Sequence, residues 1–293
     1  MPSAISGRTY RIFVFEPATP PPPQSYPMVV TTDGNMTFPI MATMAATFEL
    51  TGKAALIVGV GYETDDPMDL FTLRNRDLTP PTPISNIQSR PGQPPVNIED
   101  YGGSETFHRF LTEELRPAIA ASWQVNAHDQ TLYGHSIAGM FTVGVLLNHP
   151  ESFRNFVASS PSLWWNKRST FGDIPAFARR VRAREAAPRV LILVGGDEQS
   201  VPTELPASIT DEVAKRIPKA PPLVRKMAAW VVVKKKMLDY AMIAGARKLA
   251  RRLHRIRGGP GYKVRFHIFK GEDHLTALPA SIARALSFAL RNH

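Results

Sequence analysis

Short, uninterrupted apolar runs recur along this 293-residue chain and constrain its fold more than any other feature. Val190–Val194 is five consecutive apolar residues, and Ala54–Val60 is a second run of similar character. Such runs are typical of strands that are buried on both faces of a parallel sheet. Apolar residues at helical spacing lie between them, as in 107–119 and 137–148. The alternation predicts an α/β fold with a mostly parallel central sheet and helices on both faces.

The junction Tyr133–Gly139 carries the sharpest local motif, because it follows a predicted strand and begins an apolar helix. Ser136 lies at its centre, as in a nucleophile elbow, where a tight strand-to-helix turn exposes a serine hydroxyl. Gly134 permits the turn without a Cβ clash. Ala138 departs from the usual glycine at the fifth position, but alanine is the next smallest residue. The alternative interpretation is an ordinary Gly-Ser turn.

A serine nucleophile needs a base, and the base needs a third group that orients it. Two carboxylates, Asp197 and Glu198, follow the buried run Val190–Val194. His274 follows a predicted late strand, Lys263–Phe269. In α/β-hydrolases the order along the chain is serine, acid, histidine, which this sequence can supply. The alternatives are a solvated acidic turn and an ordinary loop histidine.

Acyl transfer also needs N–H donors for the oxyanion that develops on the substrate. The backbone N–H of Ile137, directly after Ser136, is predicted to be one donor. The second is expected from a loop after an earlier strand, and Tyr62 follows the run Ala54–Val60.

Taken together, these segments resemble the esterase branch of the α/β-hydrolases that includes esterase D and the ferric-siderophore (enterobactin, salmochelin and bacillibactin) esterases. The resemblance covers roughly residues 10 to 199 and 237 to 290. The matching segments are Met28–Asn35, Ile57–Tyr62, Arg74–Pro80, Gly102-Gly103 with Phe107 and Phe110–Pro117, Gly134–Ser136, Ser159–Trp165, Val194–Glu198 and Gly271–His274.

The resemblance implies a serine esterase with Ser136 as nucleophile, His274 as base, and Ile137 and Tyr62 as oxyanion donors. In these relatives the acid-bearing strand ends in a Gly-acid-x-Glu pattern, whose last residue falls on Glu198. Glu198 is therefore preferred as the acid and Asp197 is second, although the first carboxyl position of the pattern is Gly196 here. The chemistry needs no metal or organic cofactor. The implied substrate class is small-molecule esters, which include the ferric catecholate siderophores.

Two further segments are expected to line the substrate site. Arg74 and Arg76 lie in a polar, Pro-rich stretch, 64–101, which is predicted to be a long loop. A guanidinium there could hold an anionic substrate bidentately, while Asp77 fixes the loop. Trp164 and Trp165 follow a predicted strand, and we expect one to pack in the core and the other to face the site.

The positive charge is concentrated late in the chain. The formal net charge is +10, yet residues 201–265 contain 16 Lys and Arg against four acids. Within them, 201–236 has no recognised counterpart and is a candidate cap inserted in one domain, 1–293; Met237–Ile256 is predicted helical. The charge could be a solvated helix face, a field that attracts an anionic ester, or an adhesion surface for membrane or nucleic acid. Neutralising Lys234, Lys235 and Lys236 is expected to spare turnover of a small neutral ester.

The sequence also excludes some kinds of site and leaves some functions open. The chain has no cysteine, which excludes disulfides, thiolate metal sites and a cysteine nucleophile. No apolar stretch reaches membrane-spanning length, and the first residues lack a signal-peptide core, so a cytoplasmic location is expected. No nucleic-acid-binding motif accompanies the basic residues, and the oligomeric state is left open. The alternative functions are a general carboxylesterase for small esters and a hydrolase-fold binding protein without activity.

Overall fold

The computed structural model describes residues 1–87, 96–200, 205 and 207–291 of the chain. Its centre is a seven-stranded sheet with the order β1-β3-β2-β4-β5-β6-β7, in which only β1 runs antiparallel to its neighbour. The strands are β1 (Tyr10–Phe15), β2 (Tyr26–Thr31), β3 (Leu56–Tyr62), β4 (Val125–His135), β5 (Asn155–Ser159), β6 (Arg189–Gly195) and β7 (Lys263–Phe269).

Helices cover both faces of the sheet. They are α1 (Gly34–Glu49), α2 (Pro67–Leu78), α3 (Ser104–Arg109), α4 (Arg116–Ser122), α5 (Ile137–Asn148), the short α6 (Trp165–Arg168), α7 (Ile174–Arg182), α8 (Ala207–Arg216), α9 (Pro222–Tyr240), α10 (Met242–His254) and α11 (Ala277–Ala289). A π-helical segment, Phe110–Leu115, joins α3 to α4. The 3₁₀ turns are Ile84–Asn86, Ile98–Asp100 and Ser169–Gly172.

Two apolar clusters fix these layers. On one face, α1 and α11 pack residues such as Met41 and Ile282 against Ile57 and Val157 of the sheet. On the other face, α3, α4, α5, α7 and α10 share a larger cluster. Strands β2, β3, β5 and β6 are buried throughout, as expected for a sheet that is covered on both sides. The predicted α/β fold is confirmed.

The stretch 64–101 is not the long loop that its prolines suggested. Helix α2 occupies its first part, because the Asp66 side chain caps the helix by accepting from the N–H groups of Met68 and Asp69. Pro67 is the first residue of the helix, where a missing N–H costs nothing. Residues 88–95, which include three of the prolines of this stretch, lie outside the described residues.

The helix predicted over 237–256 is interrupted at Ala241, whose φ of 43° ends α9 and turns the chain into α10. Within the candidate cap 201–236, α8 and α9 pack on each other through Ile209, Val213, Ala229 and Val233. Residues 201–204 and 206 lie outside the described residues. No helix in the described ranges is both long and apolar enough to cross a membrane.

Candidate active site

Ser136 lies between the last residue of β4 and the first residue of α5. Its backbone has φ 63° and ψ −121°, a conformation that is strained for a residue with a side chain. The turn is held by hydrogen bonds from Ser136 N to Ser159 O (2.9 Å) and from Met140 N to Ser136 O (3.0 Å). A Cβ atom at position 134 would lie 2.2 Å from the carbonyl oxygen of Ala138, so only glycine fits there.

The side chains of Ser136, His274 and Glu198 form one hydrogen-bonded chain. Nε2 of His274 lies 3.0 Å from Oγ of Ser136, and Nδ1 of His274 lies 2.8 Å from Oε2 of Glu198. His274 comes from the loop between β7 and α11. That loop is held by Asp273, whose Oδ1 accepts from the N–H groups of Leu275 (2.8 Å) and Thr276 (2.9 Å). A hydroxyl, an imidazole and a carboxylate are thus within hydrogen-bond reach of one another, the geometry that a nucleophile, a base and an orienting acid require.

Glu198 is the acid that reaches the histidine. Its side chain is buried, and its second oxygen, Oε1, accepts from Oγ of Ser160 (2.5 Å) and from the N–H of Gly195 (2.6 Å). These two bonds fix the carboxylate, leaving Oε2 to His274. Asp197, the other residue that the sequence left open, has an exposed side chain.

A second histidine, His135, packs beside the first and was not predicted as part of the site. Its ring centroid lies 4.8 Å from that of His274, and its Nδ1 lies 3.0 Å from Oγ of Ser159. Burial, and to a smaller extent positive charge on His274, together lower the pKa of His135 to about 3. His135 is therefore neutral at ordinary pH, so it does not repel an imidazolium on His274.

Of the two predicted oxyanion donors, Ile137 has a free backbone N–H within its helix and Tyr62 does not have a free one. Ile137 is the first residue of α5, so its N–H has no acceptor within the helix. The N–H of Tyr62 instead donates to Oδ1 of Asn35 (2.7 Å), which contradicts its predicted role. The physical reason is the strand order: β3, which ends at Tyr62, does not adjoin β4, because β2 lies between them.

The strand that adjoins β4 on this side is β2, and α1 begins directly after it. Asp33 turns the chain with φ 56° and ψ 41°. Its carbonyl accepts from the N–H groups of Met36 and Thr37. Asn35 also lines the cavity over Ser136, and as the second residue of α1 its N–H has no acceptor within the helix. An N–H donor from this turn was not predicted from the sequence.

A cavity of about 980 Å³ lies over Ser136 and His274. Its apolar wall is contributed by α1, α2, α5, α9, α10, the end of β3 and the segments after β5 and β7. It comprises Met36, Tyr62, Pro67, Leu70, Phe71, Ile137, Trp164, Met237, Tyr240, Met242 and Leu275. The two tryptophans are separated. Trp164 lines the cavity and stacks on Tyr240 at 4.5 Å, whereas Trp165 is buried and its Nε1 donates to Oγ1 of Thr82 (2.9 Å).

The two arginines predicted to bind substrate lie on α2 rather than in a loop. Arg74 lines the cavity, but its Nε and Nη2 donate to Oδ1 (2.9 Å) and Oδ2 (2.7 Å) of Asp33. The guanidinium fork is therefore occupied by a carboxylate of the protein, which contradicts bidentate binding of substrate. Arg76 is not among the cavity-lining residues. Asp77 is buried and forms an ion pair with Arg8.

Comparisons with known proteins agree on one relationship. The family model described as "Putative esterase" matches residues 3–220. The chain is 32% identical to the ferri-bacillibactin esterase BesA of Bacillus subtilis, over 99% of this chain and 88% of that protein. It is 29% identical to the siderophore triacetylfusarinine C esterase of Aspergillus fumigatus, over 89% of this chain and 80% of that protein.

Solved structures give the same result for the fold. The BES protein from Bacillus cereus superposes with a TM-score of 0.75 at 26% identity, and the match covers 99% of this chain and 94% of that one.

Proposed function

Since this chain belongs to the putative-esterase family and is a carboxylic ester hydrolase of the α/β-hydrolase fold, we propose that Ser136, His274 and Glu198 are its catalytic triad. The observation that carries the proposal is the unbroken hydrogen-bonded chain from Oγ of Ser136 through both nitrogens of His274 to the carboxylate of Glu198. This is the arrangement that activates a serine hydroxyl as a nucleophile.

In the first half of the reaction, Oγ of Ser136 attacks the ester carbonyl carbon while Nε2 of His274 takes the hydroxyl proton. Glu198 stabilises the imidazolium that forms. The tetrahedral intermediate collapses when the C–O bond to the alcohol breaks and His274 protonates the leaving oxygen. In the second half, His274 takes a proton from water, the hydroxide attacks the acyl-serine, and the proton returns to Ser136 as the acid leaves.

The oxyanion is held by backbone N–H groups from two elements. One is Ile137, at the start of α5, as predicted from the sequence. The other is Asn35, at the start of α1, in place of Tyr62. Both donors lie at helix N-termini, where unpaired N–H groups and the helix dipole favour negative charge.

The substrate class that we propose is a ferric siderophore ester, as in the names of the relatives from Bacillus subtilis and Aspergillus fumigatus. The cavity supports this, since about 980 Å³ lies in the upper part of the range for small-molecule sites. Aromatic side chains on its wall, Trp164, Tyr240 and Phe71, offer faces on which the aryl groups of a catecholate can pack.

Ferric catecholates are anionic. Arg74 lines the cavity but is paired with Asp33, so cationic side chains without such a partner must come from elsewhere, and the candidate cap carries several close to the cavity. Met237 and Tyr240, at the end of α9, line the cavity. Lys236 directly precedes Met237 and lies one turn before Tyr240 on the same side of the helix. We propose that residues 201–236 form a cap over the cavity and that the lysines at the end of α9 attract the anionic ester.

One assay separates the candidate activities. Purified protein and its Ser136→Ala variant are supplied with p-nitrophenyl acetate, with an iron-free trilactone siderophore and with its ferric complex. Hydrolysis of the siderophore ester by the wild type alone supports the proposal. Hydrolysis confined to p-nitrophenyl acetate would make the protein a general carboxylesterase, and no hydrolysis of any ester would leave a binding protein.

Two further expectations complete the proposal. Residues 1–293 form one domain, which limited proteolysis tests, because a single domain yields no stable fragment of half its size. The enzyme acts in the cytoplasm, which cell fractionation tests by the compartment in which the protein and its esterase activity are recovered. Nucleic acid is not among the proposed partners.

A further inference from the structure

A second cluster of titratable side chains lies at the opposite end of α5 from Ser136. Glu105 and His108 share one face of α3, three residues apart, and His149 directly follows the last residue of α5. One possible ligand atom from each of the three residues lies within 4.8 Å of the other two. The 12 residues of α5 separate this cluster from Ser136 by about 18 Å along the helix.

His108 is the central member of the cluster. Its residue is 6% exposed, and its Nδ1 is buried without a hydrogen-bond partner among the described residues. Its other ring nitrogen, Nε2, lies 2.8 Å from Oγ of Ser152. When Nε2–H donates to that hydroxyl, Nδ1 carries the lone pair. A histidine that ligates a metal is commonly held in this way, with its second nitrogen bonded to a neighbouring group.

The other two residues lie beside that nitrogen. The rings of His108 and His149 are stacked, with centroids 4.2 Å apart. Nε2 of His149 lies 2.9 Å from Oε2 of Glu105, and Oε1 of Glu105 lies 4.0 Å from Nδ1 of His108. A single carboxylate thus spans both imidazoles, and its side chain is 61% exposed and free to adjust.

We propose that Glu105, His108 and His149 bind a zinc ion through one carboxylate oxygen, Nδ1 of His108 and Nε2 of His149. Two imidazoles and a carboxylate are a ligand set that Zn²⁺ accepts. In a tetrahedral site with Zn–N distances of about 2.0 Å, ligand atoms lie about 3.3 Å apart. The present ligand atoms lie within 4.8 Å of one another, so rotation of the Glu105 and His149 side chains would close the spacing.

A cavity of about 280 Å³ adjoins the cluster, and its lining includes all three residues. Water can complete the tetrahedron there. The ion would join α3 to the end of α5, the helix that begins directly after Ser136. Its proposed role is to stabilise the fold, because the site is a full helix length from the reacting atoms.

The competing interpretation is an ion pair between Glu105 and His149 that needs no metal.

The test uses the full-length protein after treatment with a chelator, followed by titration with Zn²⁺ in a calorimeter. Co²⁺, which reports tetrahedral coordination through its visible absorption bands, is titrated in parallel. The variants are His149→Ala and Glu105→Gln, both at partly exposed positions.

Two control variants test whether Zn²⁺ binds at other histidines. His274→Ala removes the proposed triad histidine, which also adjoins a carboxylate, and His128→Ala removes an exposed histidine elsewhere. A third variant, Ser152→Ala, tests the hydrogen bond that orients His108. It keeps all three proposed ligands and removes only the hydroxyl that bonds Nε2 of His108. Far-ultraviolet circular dichroism of the metal-free proteins establishes that each variant is folded.

The proposal predicts one Zn²⁺ per wild-type chain, retained in His274→Ala and His128→Ala. The affinity should fall roughly 100-fold or more in His149→Ala and Glu105→Gln, and roughly 10- to 100-fold in Ser152→Ala. Zn²⁺ should also raise the melting temperature of the wild type but not of His149→Ala. No binding by the wild type, unchanged affinity in His149→Ala and Glu105→Gln, or loss of binding in His274→Ala would overturn the zinc site.

Discussion

Nδ1 of His274 lies 2.8 Å from Oε2 of Glu198, although the two residues are 76 positions apart in the chain. The contact forms because β6 and β7 pair in parallel, so the loops that follow them meet at one edge of the sheet. The carboxylate is fixed from its other side by Ser160 and Gly195. The histidine that contacts Ser136 is therefore oriented by a buried carboxylate that two further hydrogen bonds hold in place.

Replacing that acid should remove most of the activity. In Glu198→Gln the side chain keeps its size but loses the charge that stabilises the imidazolium, and kcat for a simple ester should fall on the order of 10⁴-fold. Asp197→Asn is the matched control, since its side chain is exposed, and its kcat should stay within about two-fold of wild type. Steady-state kinetics measure both, and the reverse ranking would assign the acid to Asp197.

The second oxyanion donor can be tested by deleting one N–H group. Asn35→Pro removes the backbone donor at the second position of α1, within the first turn, where the N–H has no acceptor in the helix to lose. Loss of one such donor should lower kcat about 10²- to 10³-fold with little change in KM. Asn35→Ala removes only the side chain that bonds Tyr62, and it should keep most of the activity. Equal activity of the two variants would remove Asn35 N–H from the mechanism.

The lysines at the end of α9 should influence substrate choice rather than chemistry. Substituting Lys234, Lys235 and Lys236 by Gln should raise KM for an anionic ferric siderophore while kcat/KM for p-nitrophenyl acetate is retained. Lys235→Gln alone is the control, because Lys235 is exposed and lies on a different side of α9 from Tyr240. Loss of turnover of the neutral ester in a folded triple variant would contradict the separation of charge from catalysis.

His135 should make the fold sensitive to acid. Its pKa is about 3 in the folded protein, below the ordinary value of 6.5, because the ring is buried beside His274. At a pH between these two pKa values, the unfolded chain binds a proton at this histidine that the folded chain does not bind. The free energy of unfolding therefore falls as the pH falls. From pH 7 to pH 4.5 the loss in free energy of unfolding due to this group is on the order of 2–3 kcal/mol.

Urea denaturation at pH 7 and pH 4.5 measures this loss. His135→Asn should lose less stability than wild type between the two pH values, and His254→Asn, at an exposed position, should lose as much as wild type. An equal loss in wild type and His135→Asn would show that this histidine does not carry the effect.

The features that depend on residues close together in the sequence were predictable from it. The buried strands, the turn at Ser136 and the chain order of serine, acid and histidine all follow from local patterns. Local patterns left Glu198 and Asp197 both open, and the preference for Glu198 came from the family resemblance, because burial and the meeting of two distant loops are what distinguish them. The stretch 64–101 was mispredicted because its prolines outweighed the capping residue Asp66.

The errors at the site have a common physical cause, which is that partners distant in sequence are invisible to local patterns. Tyr62 was chosen because it follows an early apolar run, yet the strand order places β2, and hence Asn35, next to the strand that precedes Ser136. Arg74 was expected to be free for substrate, but its partner Asp33 lies 41 positions away. Strand order and buried ion pairs emerge only from the assembled fold.

The central claim is that Ser136 is the nucleophile, and covalent trapping tests it most directly. A fluorophosphonate probe should add one adduct per chain, and peptide mass spectrometry should locate it on Ser136. The neighbouring Ser162, whose Oγ lies 3.5 Å from that of Ser136, should be unmodified. Ser136→Ala should not react. Absence of labelling in the wild type, or equal labelling of Ser136→Ala, would contradict the account.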